Sequence, residues 1–268
     1  MPRLGSTLLS LALAGVITLA AYTDTVFVAA AVLLVQVLIA LAPSAIDPSG
    51  RSIRSPHLVA ALGGGVVATG ITLAPGLLDG AEGTSPDVVG ATDNGMLAAI
   101  LPAVAVSVFV ALVAQMLRTD GRPDLVSSTA YAVALGAFAA LSAGWIGAAQ
   151  SLGGADAVAV GAGGLGAGLL VWLVPLDRWT CACLAVLAGA GGGVAVTMGV
   201  DSPLTSVFGV AIGSAAALFG VLGQVLGRAW AQGRTHAAAG WGFPGAMSVA
   251  LAAPLVYVGG QLVGAPGL

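Results

Sequence analysis

The stretch LTSVFGVAIGSAAALFGVLGQVLGRAWAQGRTHAAAGWGFPGAMSVALAAPLVYVGGQLVG, residues 204–264, decides the fold class. Two apolar segments, 204–227 and 245–263, are joined by a polar loop, Arg228 to Gly245. Each segment is long enough to cross the hydrocarbon core of a bilayer, which needs about 20 residues of helix. Because lipid offers the backbone no hydrogen-bonding partners, both segments are predicted to be transmembrane α-helices.

The composition extends this prediction to the whole chain. Of the 268 residues, 58% are hydrophobic and only 7% are charged, whereas soluble domains carry about 25% charged residues. Most of the surface must therefore face lipid, and we expect a single all-α transmembrane domain covering residues 1–268. The formal net charge of −3 gives no indication of a nucleic-acid partner. The basic residues are Arg without Lys, which, with the excess of Ala and Gly, is associated with bacterial genomes of high GC content.

Nine apolar segments follow one another along the chain. They lie at about 4–22, 25–42, 58–78, 96–117, 126–149, 157–175, 179–200, 204–227 and 245–263. Their lengths match the roughly 17–25 residues that a spanning helix needs, so we predict a nine-span helical bundle. The first segment is longer than the apolar core of a secretory signal, and we expect it to be retained.

The positions of the charges agree with this count. When nine spans are threaded through a bilayer, every arginine falls on one side: Arg3, Arg51, Arg54, Arg118, Arg122, Arg178, Arg228 and Arg234. The loops on the other side hold acidic residues and no basic ones: Asp24, Asp79, Glu82, Asp87, Asp93, Asp156 and Asp201. Since cytoplasmic loops are enriched in Arg and Lys, the N-terminus is predicted inside and the C-terminus outside a bacterial plasma membrane.

The longest outer loop, residues 79–95, carries four of these acidic residues. Their spacing does not match the alternating ligands and terminal Glu of a calcium-binding loop. A solvated connector is therefore favoured, with a weak cation site as the alternative.

Small residues recur four apart inside the later spans, at 164/168, 189/193, 209/213 and 223/227, all of them Gly. Such pairs put small residues on one helix face and let two backbones approach closely. We expect tight packing between the helices, and a further small-residue contact with a protein partner or a second copy stays open.

The aromatic residues cluster near the predicted span ends. Tyr22 and Trp145 are placed at outer ends, whereas Trp172, Trp179, Trp230 and Trp241 are placed at inner ends. This pattern predicts a belt of amphipathic rings at the two head-group levels.

No motif indicates a cofactor or a metal. Gly161, Gly163 and Gly166 match a dinucleotide-binding fingerprint literally, but the match lies inside an apolar span without the required strand. Cys181 and Cys183 are two residues apart and would point to different sides of a helix, which disfavours a shared metal. We therefore expect no cofactor and no metal site.

The polar loop 228–245 and the turn before it are the best candidates for a site. Arg228, Arg234 and His236 could meet an anionic lipid head group at the inner leaflet, where each basic residue contributes about 1 kcal/mol. Enforcing membrane topology is their alternative role. Gln224 lies one turn before Arg228, and its simplest role is a hydrogen bond between helices.

Three stretches resemble the phosphatidate cytidylyltransferase (CDP-diacylglycerol synthase) family. They are RTDGRPDLVSSTAYAVALGAFAALSAG (118–144), VFGVAIGSAAALFGVLGQVLGR (207–228) and GWGFPGAMSVALAAPLVY (240–257). The first is similar to a basic loop and polar motif before a span with a Tyr, and the second to a Gly-rich span with a Gly-Gln pair. The third is similar to the closing segment of the family, with Ala252-Ala253-Pro254 and Tyr257 in place.

The resemblance implies a metal-dependent transferase, but the residues that would hold magnesium are missing. Trp241 stands where the family has His, and no Asp or Glu follows Asp201. Magnesium is usually held by one or two carboxylates, and phosphoryl transfer without metal or Lys lacks its main charge stabilisation. We therefore expect a non-catalytic relative that associates with membrane lipids or a protein partner.

Two other functions stay open. An active cytidylyltransferase-like enzyme with an unusual site is the first. A transporter or permease component is the second, and broken spans or inverted repeats would indicate it. Pro254 lies inside the ninth segment, although the sequence shows no repeat.

Overall fold

The computed structural model describes residues 2–44, 56–74, 95–119, 124–200, 204–231 and 237–263. Ten helices lie in these ranges: α1 (Pro2–Ala21), α2 (Thr25–Ala40), α3 (His57–Leu73), α4 (Gly95–Met116), α5 (Leu125–Leu141), α6 (Gly144–Gln150), α7 (Gly154–Trp172), α8 (Arg178–Gly199), α9 (Ser206–Ala231) and α10 (Ala237–Leu262). No strand occurs among the described residues. The predicted all-α class is confirmed.

Seven helical segments are long and apolar enough to cross a membrane. They are α1, α4, α7, α8, α9 and α10, together with α5 and α6 taken as one segment. The helices α2 and α3 are apolar but shorter, with 16 and 17 residues. Large aliphatic side chains on the surface, including Leu19 at 71% and Leu101 at 77% exposure, give the bundle the apolar exterior that a lipid environment requires.

The segment predicted as one helix at 126–149 is broken. The α5 helix ends at Leu141, and the backbone tightens into i→i+3 hydrogen bonds before α6 begins at Gly144, as in the bond from Trp145 N to Ser142 O. The Ser142 hydroxyl donates to Ala139 O at 2.6 Å. Short stretches of this tighter helix often mark strain or a hinge.

The most enclosed helix is α10, with 78% of its span buried, whereas α4 has 28%. It runs antiparallel to α9, because Gly227 faces Pro244 near one end and Gly259 faces Ile212 near the other. Helix α6 also packs against α10, since Gly144 of α6 lies against the backbone of Ala253. Helix α10 therefore packs between α9 on one side and α6 on another.

The helix packing places the three arginines whose side chains are described at one end of the bundle. Arg228 contacts Ser6 at the start of α1, and Arg118 contacts Ser128 near the start of α5. Arg178 begins α8 directly after α7, which runs parallel to α9 because Gly164 faces Gly213 and Gly168 faces Ala217. We call this the arginine end. The opposite end carries Asp24 and Asp156, the latter bound to Tyr22 at 2.9 Å.

All four predicted glycine pairs lie in contacts between helices. Gly164 and Gly168 of α7 meet α9, and Gly189 and Gly193 of α8 meet the same helix from another side. Gly209 and Gly213 supply the α9 side of those contacts, while Gly223 and Gly227 of α9 face α10. The expected tight packing is confirmed.

The prediction that Trp145 belongs to an aromatic belt at the head-group level is wrong. Its side chain is fully buried, and its indole N–H donates to Val249 O of α10 at 2.9 Å. Pro254 lacks the backbone N–H that would reach Ala250 O in a regular helix, and Trp145 donates to the carbonyl of the residue before Ala250. Trp172 is also buried, whereas Trp179 is 83% exposed at the arginine end.

The acidic outer loop predicted at residues 79–95 lies largely outside the described residues, since 75–94 are not described.

Candidate functional site

A hydrogen-bonded cluster joins α1, α9 and α10 at the arginine end, and we call it the Ser6–Arg228 cluster. Its side chains are Ser6 and Ser10 of α1 and Gln224 and Arg228 of α9. The Arg228 Nη2 donates to Gln224 Oε1 at 2.8 Å and to Ser6 Oγ at 3.2 Å. Gln224 Oε1 also accepts from Ser6 Oγ at 2.9 Å.

The second half of the cluster fixes the glutamine amide. Gln224 Nε2 donates to Ser10 Oγ at 3.1 Å, and the Ser10 hydroxyl lies within hydrogen-bonding distance of Gly245 O at 3.0 Å and Ser6 O at 2.9 Å. Since the amide oxygen faces only donors and the amide nitrogen faces an acceptor, this orientation satisfies the network better than the flipped one. Gln224, Ser6 and Ser10 have no exposed surface, whereas Arg228 is half-buried.

The sequence builds this cluster by simple helical spacing. Gln224 and Arg228 are four residues apart on α9, and Ser6 and Ser10 are four apart on α1, so each pair lies on one helix face. Gly223 and Gly227 let α10 approach α9 until its backbone closes the cluster. Arg228 also lies in the last turn of α9, where a cation is favoured by the helix dipole.

The cluster contains two of the four predicted site residues. The structure brings Gln224 and Arg228 together, with the interhelical hydrogen bond expected for Gln224. Arg234 and His236 lie outside the described residues. Ser6 and Ser10 were missed, although their i, i+4 spacing in the first segment was the available signal.

A second cluster with the same donor pattern lies between α4 and α5. Arg118 Nη1 donates to Gln115 Oε1 at 2.7 Å and to Ser128 Oγ at 3.2 Å. Gln115 Nε2 donates to the same serine hydroxyl. Here too a half-buried arginine is held by a buried glutamine and a buried serine: Arg118 lies just after the end of α4, Gln115 in its last turn and Ser128 on the neighbouring α5. We call it the Ser128–Arg118 cluster.

A third polar cluster, built around Gln36 of α2, lies at the break between α5 and α6. Gln36 Nε2 donates to Thr69 Oγ1 at 2.9 Å, to Ser142 Oγ at 3.2 Å and to Ala139 O at 3.3 Å. Gln36 Oε1 is buried and has no hydrogen-bond partner among the described residues. It faces Gly65, where any Cβ would come within 2.7 Å of it.

An aromatic cluster closes the arginine end between α3, α5, α9 and α10. Tyr131 lies between His57 and Trp230, with ring centroids 5.6 and 5.5 Å away, and Trp230 stacks on Phe243 at 6.3 Å. His57 Nε2 lies 3.0 Å from Ala42 O, so that nitrogen carries a proton. These contacts form a continuous layer of rings from α3 to α10 at the arginine end.

Ionisable groups outside the spans are shifted by local contacts at each end. Partial burial raises the pKa of Tyr22 to about 12, and its hydrogen bond to Asp156 and the charge of that carboxylate add to the rise. Hydrogen bonds from the side chain and backbone of Thr180 lower the pKa of Asp177, which caps α8 at the arginine end.

The described residues contain no group of three or more His, Cys, Asp or Glu side chains that could hold a metal ion. Cys181 is buried and Cys183 is exposed, so the two thiols lie on different sides of α8. The chemistry of the Ser6–Arg228 cluster is therefore that of a positioned cation with neutral hydrogen-bonding groups, which suits binding of an anion.

No family model matches the chain, and neither a curated protein nor a solved structure matches it.

Proposed function

We propose that the protein is a non-catalytic, multi-pass plasma-membrane protein that binds the head group of anionic phospholipids at the inner leaflet through the Ser6–Arg228 cluster. The observation that carries this proposal is the guanidinium of Arg228, which Gln224 and Ser6 hold at the end of an apolar bundle. An arginine oriented in this way pays less entropy on binding phosphate than a free one does.

The proposed topology has nine spans, with the N-terminus inside and the C-terminus outside a bacterial membrane. In support, Arg118, Arg178 and Arg228 share one end of the bundle, and Asp24 and Asp156 share the other. In this topology α2 and α3 cross despite their shorter length, and α5 with α6 forms a single broken span. Arg234 and His236 then belong to a cytoplasmic loop beside the cluster.

The direct test is lipid binding. Native mass spectrometry of the detergent-purified protein counts bound phosphatidylglycerol for the wild type, Arg228→Gln and Arg178→Gln. The last variant is a matched control, because Arg178 is exposed at the same end. We expect Arg228→Gln to weaken binding about fivefold, the factor for about 1 kcal/mol. Equal binding by both variants would exclude the proposal. Arg234→Gln and His236→Gln measure the contribution of the loop.

The proposed relationship to the CDP-diacylglycerol synthase family is that of a member without its magnesium carboxylates. It is supported by the three stretches quoted above and by the absence of Asp and Glu after Asp201. Incubation with CTP, magnesium and phosphatidate is expected to release no pyrophosphate. Release above that of a protein-free control would establish an active enzyme instead.

A transporter is the second candidate, and the broken span favours it. Discontinuous helices often carry transporter substrate sites, and the break at Ser142 holds the cluster around Gln36. In addition, α3, α4 and α5 all contact one another, as do α7, α8 and α9. The first trio begins at the arginine end and the second at the opposite end, as an inverted repeat would.

The accessibility of position 142 to a water-soluble reagent distinguishes a transporter from a protein with a closed interior. In a variant without the native cysteines, Ser142→Cys is treated with a membrane-impermeant thiol reagent in right-side-out and inside-out vesicles. Thr23→Cys and Thr119→Cys, at opposite ends of the bundle, are the controls for sidedness. Labelling of position 142 from one or both sides would support a transport pathway, whereas protection from both sides would argue for a closed interior.

A contact with a protein partner or a second copy is also proposed, through small-residue helix faces. It has less support than lipid binding, because the four glycine pairs that suggested it are occupied within the chain. The number of copies in a detergent complex, measured by light scattering, tests it.

A further inference from the structure

An apolar groove on the surface of the bundle adjoins the Ser128–Arg118 cluster at Leu125, which lines the groove and whose carbonyl oxygen accepts from Ser128 Oγ at 3.3 Å. The groove runs between α4 and α5 and has a volume of about 620 Å³, within the roughly 300–1,000 Å³ of small-molecule sites. Its lining includes Leu112, Val126, Ala130, Val133, Ala134 and Ala137. The one hydroxyl in the lining, on Thr129, is engaged with Leu125 O at 2.7 Å, which leaves apolar walls.

The groove begins at the arginine end, because Leu125 and Val126 form the first turn of α5 and Ser128 belongs to the next. Residues Ala130, Ala134 and Ala137 continue it along one face of α5 towards the middle of the bundle. A cation at one end of the bundle is thus followed by an open apolar groove that runs along α5 towards the middle of the bundle. This order of chemistry matches a phospholipid, whose phosphate lies at the surface and whose acyl chain runs inward.

We propose that an anionic phospholipid binds here, with its phosphate at Arg118 and one acyl chain in the α4–α5 groove. The site is separate from the Ser6–Arg228 cluster, since it is built from different helices. Gln115 and Ser128 each accept a hydrogen bond from the guanidinium, and a third bond, from Gln115 to Ser128, fixes the two acceptors relative to each other. Arginine suits this role because its planar fork of donors matches phosphate oxygens.

A second apolar groove on the bundle offers a comparison with the α4–α5 groove. It lies between α9 and α10, has a volume of about 530 Å³ and begins at Thr205, Val207 and Leu262 at the opposite end of the bundle. Among the described residues, neither groove is lined by a charged side chain, but the two arginine clusters lie at the other end of the bundle from this one. A phospholipid with its acyl chain there would have no cation for its phosphate, so we expect this groove to retain no phosphatidylglycerol.

The experiment separates head-group and chain contributions. Native mass spectrometry counts phosphatidylglycerol and phosphatidylcholine retained by the wild type, Arg118→Gln, Arg118→Lys and Ala134→Phe. Ala215→Phe, which fills the α9–α10 groove, is the matched control for Ala134→Phe. Inorganic phosphate is added as a competitor to distinguish a lipid site from a simple anion site.

We expect Arg118→Gln to weaken phosphatidylglycerol binding about fivefold, with Arg118→Lys between it and the wild type. Ala134→Phe is expected to remove one bound phosphatidylglycerol, and Ala215→Phe none. Free phosphate should not displace the lipid. Equal losses from the two phenylalanine variants, or displacement by phosphate, would overturn the proposal.

Size-exclusion profiles show which variants fold. If Arg118→Gln does not fold, the comparison of Ala134→Phe with Ala215→Phe alone decides whether lipid binds in the α4–α5 groove. The result is also distinct from that for Arg228. Loss of one lipid in Arg118→Gln with no change in Arg228→Gln would retain this site and reject the proposed function, and the reverse pattern would do the opposite.

Discussion

Gly164 of α7 lies so close to Gly213 of α9 that a Cβ added at position 164 would come within 2.3 Å of the Gly213 Cα. The obstructing atoms belong to the backbone and cannot turn aside as a side chain could. Gly189 and Gly193 of α8 approach Gly213 from another side: an added Cβ would come within 2.7 Å of the Gly213 oxygen at position 189 and within 3.1 Å of its Cα at position 193. Three helix backbones therefore meet at one residue.

Gly164→Ala is expected to destabilise the protein by about 1–3 kcal/mol, the usual cost of inserting a methyl into a packed interior. Gly191→Ala on α8 is the matched control, because a Cβ there meets nothing within 4 Å. It should be neutral or slightly stabilising, since Ala favours helix over Gly by about 0.5–1 kcal/mol. Thermal unfolding in detergent measures both. Equal Tm values for the two variants would contradict the close approach.

The apolar segments and the glycine pairs could be predicted from the sequence, because segment length and i, i+4 spacing are local signals. The break at Ser142 could not, because Leu141, Ser142 and Ala143 are ordinary residues for a membrane helix. The break depends on tertiary contacts with Gln36 and with α10 at Ala253. The same α10 contact buries Trp145, which local hydropathy assigned to the membrane interface.

The residues of the candidate site were likewise only partly predictable from the sequence. Gln224 and Arg228 were predictable together because they are one turn apart. Their partner Ser6 is 218 residues away from Gln224, and no alternation or spacing within one helix indicates such a pairing. The recurrence of the same pattern at Arg118 was equally hidden, since it needs the packing of α5 against α4.

Gln224→Leu is expected to destabilise the protein by about 1–3 kcal/mol, the cost of leaving buried polar groups without partners. The substitution removes the acceptor for Ser6 and Arg228 and the donor to Ser10. Ser214→Ala is the control on the same helix, because the Ser214 hydroxyl bonds only locally to Ala211 O and should cost little. Chemical unfolding in mixed micelles compares them, and matching midpoints would show that the cluster adds no stability.

Trp145→Phe is expected to cost about 0.5–1.5 kcal/mol, the net value of one hydrogen bond, because it removes the donor to Val249 O. Trp179→Phe removes an exposed ring and should leave the unfolding midpoint unchanged. Fluorescence provides an independent readout. Trp145→Phe should remove emission that acrylamide cannot quench, whereas Trp179→Phe should remove quenchable emission. The opposite assignment would place Trp145 at the surface.

The phenol of Tyr22 is expected to ionise near pH 12 in the folded protein, above its ordinary pKa of 10.0. Partial burial favours the neutral phenol, and the hydrogen bond to Asp156 and its charge act in the same direction. Because the folded pKa is the higher one, this contribution to stability is complete below about pH 10 and is lost as the pH rises towards 12. Tyrosinate absorbance at 295 nm follows the titration, with Tyr22→Phe identifying the signal. Asp156→Asn should move the pKa of Tyr22 back towards its ordinary value, and an unmoved titration would show that burial alone sets it.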